Sequence, residues 1–133
     1  SGTGSDMKQT EAIRINLPSL LKLLNAHTML DAACGDFNWM RKIDLSPLDL
    51  YIGVDIVPGL ITKNQLTYKI DNCIFQHMNI AYDTIPQVDL ILCRDCLVHL
   101  ELDDCIKVIK NFKKSGAKYL LITTFTRNEE NTP

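Results

Sequence analysis

The chain has 133 residues, enough for one domain with a real core and too few for two. Hydrophobic residues at 46% and charged residues at 23% are the proportions of a globular protein. A net charge of −2 offers no basic surface to a nucleic-acid backbone or an anionic membrane, so neither is expected as a partner. No apolar run approaches the roughly 20 residues of a bilayer-spanning helix, and residues 1–6 are too polar for a signal peptide.

Five cysteines, an odd number, argue against a disulfide framework and for a reducing cytoplasm. Cys93-Arg-Asp-Cys96 is a C-x-x-C pair after a strand, the context of a redox motif or of thiols that merely line a strand end. Zinc would need further ligands at a matching spacing, so no metal is expected.

In chain order, Leu17, Leu20, Leu21 and Leu24 recur at helical spacing, with Pro18 suited to a first turn. Residues 28–33 read as a short apolar strand, ended by Cys34-Gly35-Asp36. Residues 37–42 can form a short helix, and 50–55 a second strand. Pro58 opens another helix, and 72–78 form a third strand. Residues 88–93 are apolar enough for a strand buried on both faces. Residues 103–113 are amphipathic, with Cys105, Ile106, Ile109 and Phe112 on one face and a solvated, Lys-rich face over 110–114. Ser115-Gly116 stops that helix, and 118–124 form a fifth strand.

Strands alternating with helices make βαβ units, hence an α/β fold with a doubly wound, mostly parallel sheet and helices on both faces. Ligands bind outside the carboxyl ends of such strands. After the first strand, Asp31-Ala-Ala-Cys34-Gly35-Asp36 sets two carboxylates around a glycine turn. They would repel a pyrophosphate and attract an ammonium or sulfonium. Asp55 ends the second strand, where an acid can accept hydrogen bonds from both ribose hydroxyls. Ile56 offers an apolar face to a purine, and Asn79 a donor and an acceptor to the edge of adenine. Arg94-Asp95 gives the fourth strand a polar end.

This order resembles the class I S-adenosylmethionine-dependent methyltransferases over residues 30–124. Asp31–Asp36 is similar to their Asp-x-Gly-x-Gly-x-Gly motif, and Tyr51-Ile-Gly-Val-Asp55-Ile56 to the strand with the ribose-binding acid. Phe75-Gln-His-Met-Asn79-Ile80 stands where the adenine contact falls, and residues 88–100 are similar to the fourth strand and its following segment. Residues 34–40 and 93–100, with Gly2–Ser5 and Gln9-Thr10, are similar to those of a bacterial subgroup, which makes the start read as native.

The resemblance implies a Rossmann-like domain over residues 1–133. An N-terminal loop and helix fill 1–26 and a cofactor-binding core 27–125, with strand order 3-2-1-4-5. It further implies S-adenosylmethionine as cofactor, held by Asp31, Cys34, Gly35, Asp36, Asn38, Trp39, Asp55, Ile56, Asn79, Ile80 and Arg94. The implied activity is methyl transfer to a small molecule such as a metabolite or sugar-linked precursor. Asp95 and His99 are the candidate bases, should the acceptor lose a proton. The alternative is a binding module of this fold without activity, or a fragment of a larger enzyme. A dehydrogenase lacks support, because Gly-x-Gly-x-x-Gly is absent.

The sequence departs from the family twice. Ala33 and Phe37 replace two of the three motif glycines, so at Phe37 either the turn differs or the ring points away. The usual closing strands are absent, which leaves the fifth strand as an edge that a second copy could cover. Several residues also have plainer readings. Asp36 and Asn79 suit turns, Trp39 suits the core, His77 is a structural histidine, and His99 is as readily structural as catalytic.

Overall fold

A computed structural model of the chain describes residues 7–94, 97 and 100–123, with side chains for 15–94, 97 and 100–122. Helix α1 (Met7–Leu23) leads into β1 (Thr28–Ala32), a 3₁₀ turn at Met40–Lys42, and β2 (Leu50–Asp55). Helix α2 (Pro58–Thr67), β3 (Cys73–His77), β4 (Leu90–Arg94), α3 (Leu102–Lys114) and β5 (Tyr119–Thr123) follow. The five strands form one sheet in the order β3-β2-β1-β4-β5, and every pair is parallel. That is the expected doubly wound order, with the reversal between β1 and β4.

Alternation along the strands divides the core in two. Met29, Tyr51, Phe75, Leu90 and Leu92 pack with Leu17 and Leu21 of α1 and Ile61 of α2. Leu30, Ala32, Ile52, Val54, Ile91 and Cys93 pack with Val108 and Phe112 of α3. So α1 and α2 cover one face and α3 the other. Leu90–Cys93 are buried throughout, as their unbroken apolar run requires.

Three local expectations are corrected. Pro18 lies inside α1, which begins at Met7. The proline forfeits one helical hydrogen bond, and burial of its neighbours Leu17 and Leu21 against the sheet offsets the loss. Residues 37–42 hold only the 3₁₀ turn, since Phe37 has a φ of +64° that no right-handed helix admits. On α3 the buried side chains are Val108 and Phe112, while Ile106 is 43% exposed. The helix is rotated so that Val108 meets the sheet, which carries Ile106 towards solvent.

Among the described residues β5 pairs only with β4, and Tyr119, Leu120 and Ile122 are exposed along it. No helix of the described residues is long and apolar enough to cross a membrane.

Gly53 lies mid-strand in β2, beside Asp31 of β1. A Cβ there would fall 2.9 Å from Phe75 Cδ1, 3.0 Å from Cys34 Cβ and 3.1 Å from Cys34 Sγ. The missing side chain is what lets the loop after β1 lie against β2. Gly53→Ala is expected to cost about 1–3 kcal/mol by overpacking. Chemical denaturation measures it; an unchanged midpoint would mean that the loop yields freely.

Candidate functional site

The loop after β1 is built by short-range chemistry. Cys34 N–H donates to the Val54 carbonyl at 2.9 Å, which extends the β1–β2 pairing by one bond. Gly35 takes a left-handed φ of +56° and turns its N–H onto Asp55 Oδ2 at 3.0 Å. On its other side, Asn64 of α2, 1% exposed, donates from Nδ2 to the Gly35 carbonyl at 2.7 Å. Asp36 Oδ1 accepts the Asn38 N–H at 2.9 Å, an Asx turn. Phe37 takes a left-handed φ of +64°. Its ring turns inward among Tyr51, Tyr68 and Phe75, with centroids 5.3, 5.0 and 5.1 Å away. The ring is buried in the core, away from the strand ends.

A cavity of about 410 Å³ opens outside the carboxyl ends of β1, β2 and β3, a size suited to a small organic ligand. Ala33, Asp55 and Ile56 line it, with Met78–Tyr82 after β3 and Leu100, Asp104 and Val108 from the α3 side. Of the sequence-derived cofactor residues, the cavity brings together Asp55, Ile56, Asn79 and Ile80. Asp55 is 7% exposed; Oδ2 holds the Gly35 N–H and Oδ1 the Val57 N–H at 3.0 Å. Each oxygen retains a lone pair for a further donor. Asn79 Oδ1 already accepts the Ala81 N–H at 3.0 Å, so its turn role is real, and its amide donor and the oxygen's second lone pair remain. His77 lies outside the lining and holds the Ile56 carbonyl through Nε2 at 2.9 Å.

The other cofactor candidates lie elsewhere. Asp31, Cys34, Gly35, Asp36, Asn38, Trp39 and Arg94 are not part of the cavity wall. Asp31 is 2% exposed and accepts a hydrogen bond from the Tyr51 hydroxyl at 2.5 Å. Burial pushes its carboxyl up from 3.8 to about 7, with Asp55 adding to the rise and Tyr51 and Arg94 opposing it. Burial likewise raises the Tyr51 phenol and, with the negative charges of Asp31 and Asp55, the Cys34 thiol. Both stay protonated, so Cys34 is no nucleophile. Trp39 is 4% exposed in the core, and the Arg94 guanidinium lies 4.8 Å from its ring centroid. Cys93 is disulfide-bonded, whereas Cys34, Cys73 and Cys105 are free. Asp95, Cys96 and His99 lie outside the described residues.

Sequence reasoning missed Tyr51, Gly53 and Asn64, which shape the loop, and the whole contribution of α3. A glycine inside an apolar strand was a legible signal of close approach; nothing local marked Asn64 or Asp104.

Neither a protein-family model nor a curated protein matches the chain. Solved structures do. The methyltransferase domain of bacterial CtHen1-C superposes with a TM-score of 0.71 at 17% identity, over 83% of this chain and 63% of that one. This is the fold of a class I S-adenosylmethionine-dependent methyltransferase. Human N-acetylserotonin methyltransferase, solved with S-adenosylmethionine, matches the methyltransferase fold at TM-score 0.69 and 18% identity, over 96% of this chain and 39% of its own. The N-methyltransferase NodS of Bradyrhizobium japonicum, solved with S-adenosylhomocysteine, gives 0.65 and 21%, over 88% and 59%. The chain thus spans less than two-thirds of the length of each of these structures.

Proposed function

We propose that the chain is the cofactor-binding core of an S-adenosylmethionine-dependent methyltransferase acting on a small molecule. The observation that carries this reading is Asp55, a buried carboxylate at the end of β2 that faces a cavity flanked by Ile56, Asn79 and Ile80. The chemistry of this set fits a nucleoside. Asp55 has lone pairs free for two ribose hydroxyls, Ile56 and Ile80 supply apolar faces for a base, and Asn79 keeps its amide donor. The cofactor would supply an electrophilic methyl on a sulfonium, which leaves as a neutral thioether.

The protein's part is then mostly positional, since holding two reactants in line removes much of the barrier. Gly35 and Asn64 fix the loop that presents Asp55, through bonds of 3.0 and 2.7 Å. Arg94, with its guanidinium on Trp39, offers a planar cation at the end of β4 for a carboxylate of the cofactor or acceptor. Asp95 and His99 are proposed as bases for an acceptor that must lose a proton.

Calorimetric titration with S-adenosylhomocysteine tests the reading. The wild type is expected to bind, and Asp55→Ala to bind about 10- to 100-fold more weakly, the worth of hydrogen bonds to a charged group. Absence of binding by the wild type would overturn the proposal, as would unchanged affinity in a variant that circular dichroism shows folded. Binding without methyl transfer to any acceptor in a broad screen would favour the inactive module.

A further inference from the structure

Residues 78–89, which join β3 to β4, are irregular throughout, so the part of them that walls the cavity takes its shape from side chains. The turn at 79–83 first closes on itself. Asp83 Oδ2 accepts the Asn79 N–H at 2.7 Å, Asn79 Oδ1 accepts the Ala81 N–H at 3.0 Å, and the Asn79 carbonyl accepts the Asp83 N–H at 2.8 Å. This turn forms one wall of the cavity, and α3 forms another through Asp104 and Val108.

Asn111 joins the two walls. It lies three residues past Val108, one helical turn along α3, and is not part of the cavity lining. Its Nδ2 donates to the Ile80 carbonyl at 2.9 Å and to the Asp83 carbonyl at 2.7 Å. Backbone carbonyls only accept, so the amide nitrogen must face them, and each of its two protons is used. Ile80 and Ala81 also pack against the apolar cluster that holds Val108 and Phe112, but apolar contact has no direction and would let the turn slide. The second polar link, Lys107 Nζ to Tyr82 Oη at 2.9 Å, is exposed and made between two side chains, so it costs more rotamer freedom to hold.

We propose that Asn111 is a positioning residue, which fixes the 79–83 turn at a set distance from α3 and so keeps the cavity at the width of a nucleoside without touching it. The proposal rests on the cofactor reading above and names a residue outside the site that sets its geometry. With the clasp the wall is in place before the ligand arrives. Without it the turn spends part of its time displaced, and apparent affinity falls by the fraction of molecules still competent.

The experiment is calorimetric titration with S-adenosylhomocysteine and with 5′-methylthioadenosine on wild type, Asn111→Ala, Asn111→Asp and Phe112→Leu at pH 8, with urea unfolding of each. Asn111→Ala is expected to bind both ligands about 10-fold more weakly, as for a wall in place about a tenth of the time. Asn111→Asp keeps the size of the side chain but has no proton to give the carbonyls, and should lose at least as much. Phe112→Leu loosens α3 from the sheet at a buried residue outside the cavity wall, so its unfolding midpoint should fall while both affinities stay near those of the wild type. Wild-type affinity in either Asn111 variant overturns the assignment, and so does an equal loss of affinity in Phe112→Leu, which would make the clasp one more contribution to general stability. A loss confined to S-adenosylhomocysteine overturns it as well, because the two ligands share the nucleoside. Each of these outcomes leaves the cofactor reading standing, whereas a wild type that binds neither ligand removes that reading and this assignment with it.

Discussion

Phe37→Ala is expected to lower stability by about 3–5 kcal/mol, the usual cost of emptying a buried aromatic site. The ring is fully buried and touches Tyr51, Tyr68 and Phe75 edge-on or tilted, contacts that add to its area burial. Its backbone pulls the other way. At φ +64° a residue with a Cβ pays about 1–2 kcal/mol that glycine avoids. Phe37→Gly should therefore lie above Phe37→Ala by about 1 kcal/mol, the reverse of the order in ordinary helices and strands. Urea unfolding of the three proteins reads both effects. Alanine at least as stable as glycine would show that the turn relaxes once the ring is gone.

The same residue shows where sequence reasoning reached and where it stopped. The absence of a glycine at position 37 was plain, and so were the two ways the structure could accommodate it. Choosing between them needed the partners, and Tyr51, Tyr68 and Phe75 come from three later segments. The parallel sheet and the strand ends followed from local apolar runs and their spacing, because βαβ units leave few topologies open, whereas the sheet order came with the family resemblance. Asp55, Ile56 and Asn79 were found together because each ends a strand or follows one within two residues and strand ends converge, and Ile80 came with the resemblance. Asp104 does not end a strand. Whether a helix's first turn reaches the strand ends depends on how the helix is rotated and slid against the sheet, and the exposure of Ile106 shows that rotation misjudged from the apolar stripe alone. Asn64 and Gly35 are joined across the β1–α2 interface by one hydrogen bond, which no periodicity announces.

Asp31 illustrates a different limit, since its position was legible and its electrostatics were not. Its side chain shares a face with Tyr51 and Gly53, under the aromatic cluster, and burial there lifts its carboxyl from 3.8 to about 7. The folded state then keeps a proton that the unfolded chain releases above about pH 4. With more protons bound in the folded state, stability falls as pH rises, from about pH 4 to about pH 7, and is level beyond. The loss over that window is about 4 kcal/mol. Asp31→Asn keeps an acceptor for the Tyr51 hydroxyl and cannot ionise. The stability difference between wild type and Asp31→Asn should therefore move by about 4 kcal/mol in favour of the variant between pH 4 and pH 8. Denaturant unfolding across that range measures it, and parallel curves would mean that Asp31 titrates as an ordinary carboxylate. Ligand binding extends the test. A cation that reaches Asp31 stabilises its charged form, so S-adenosylhomocysteine should bind more tightly as pH rises through 7 in the wild type and not in the variant. 5′-Methylthioadenosine, which lacks the ammonium, should show no such dependence in either. Equal pH profiles for the two ligands would place the ammonium away from Asp31 and leave that residue to the core.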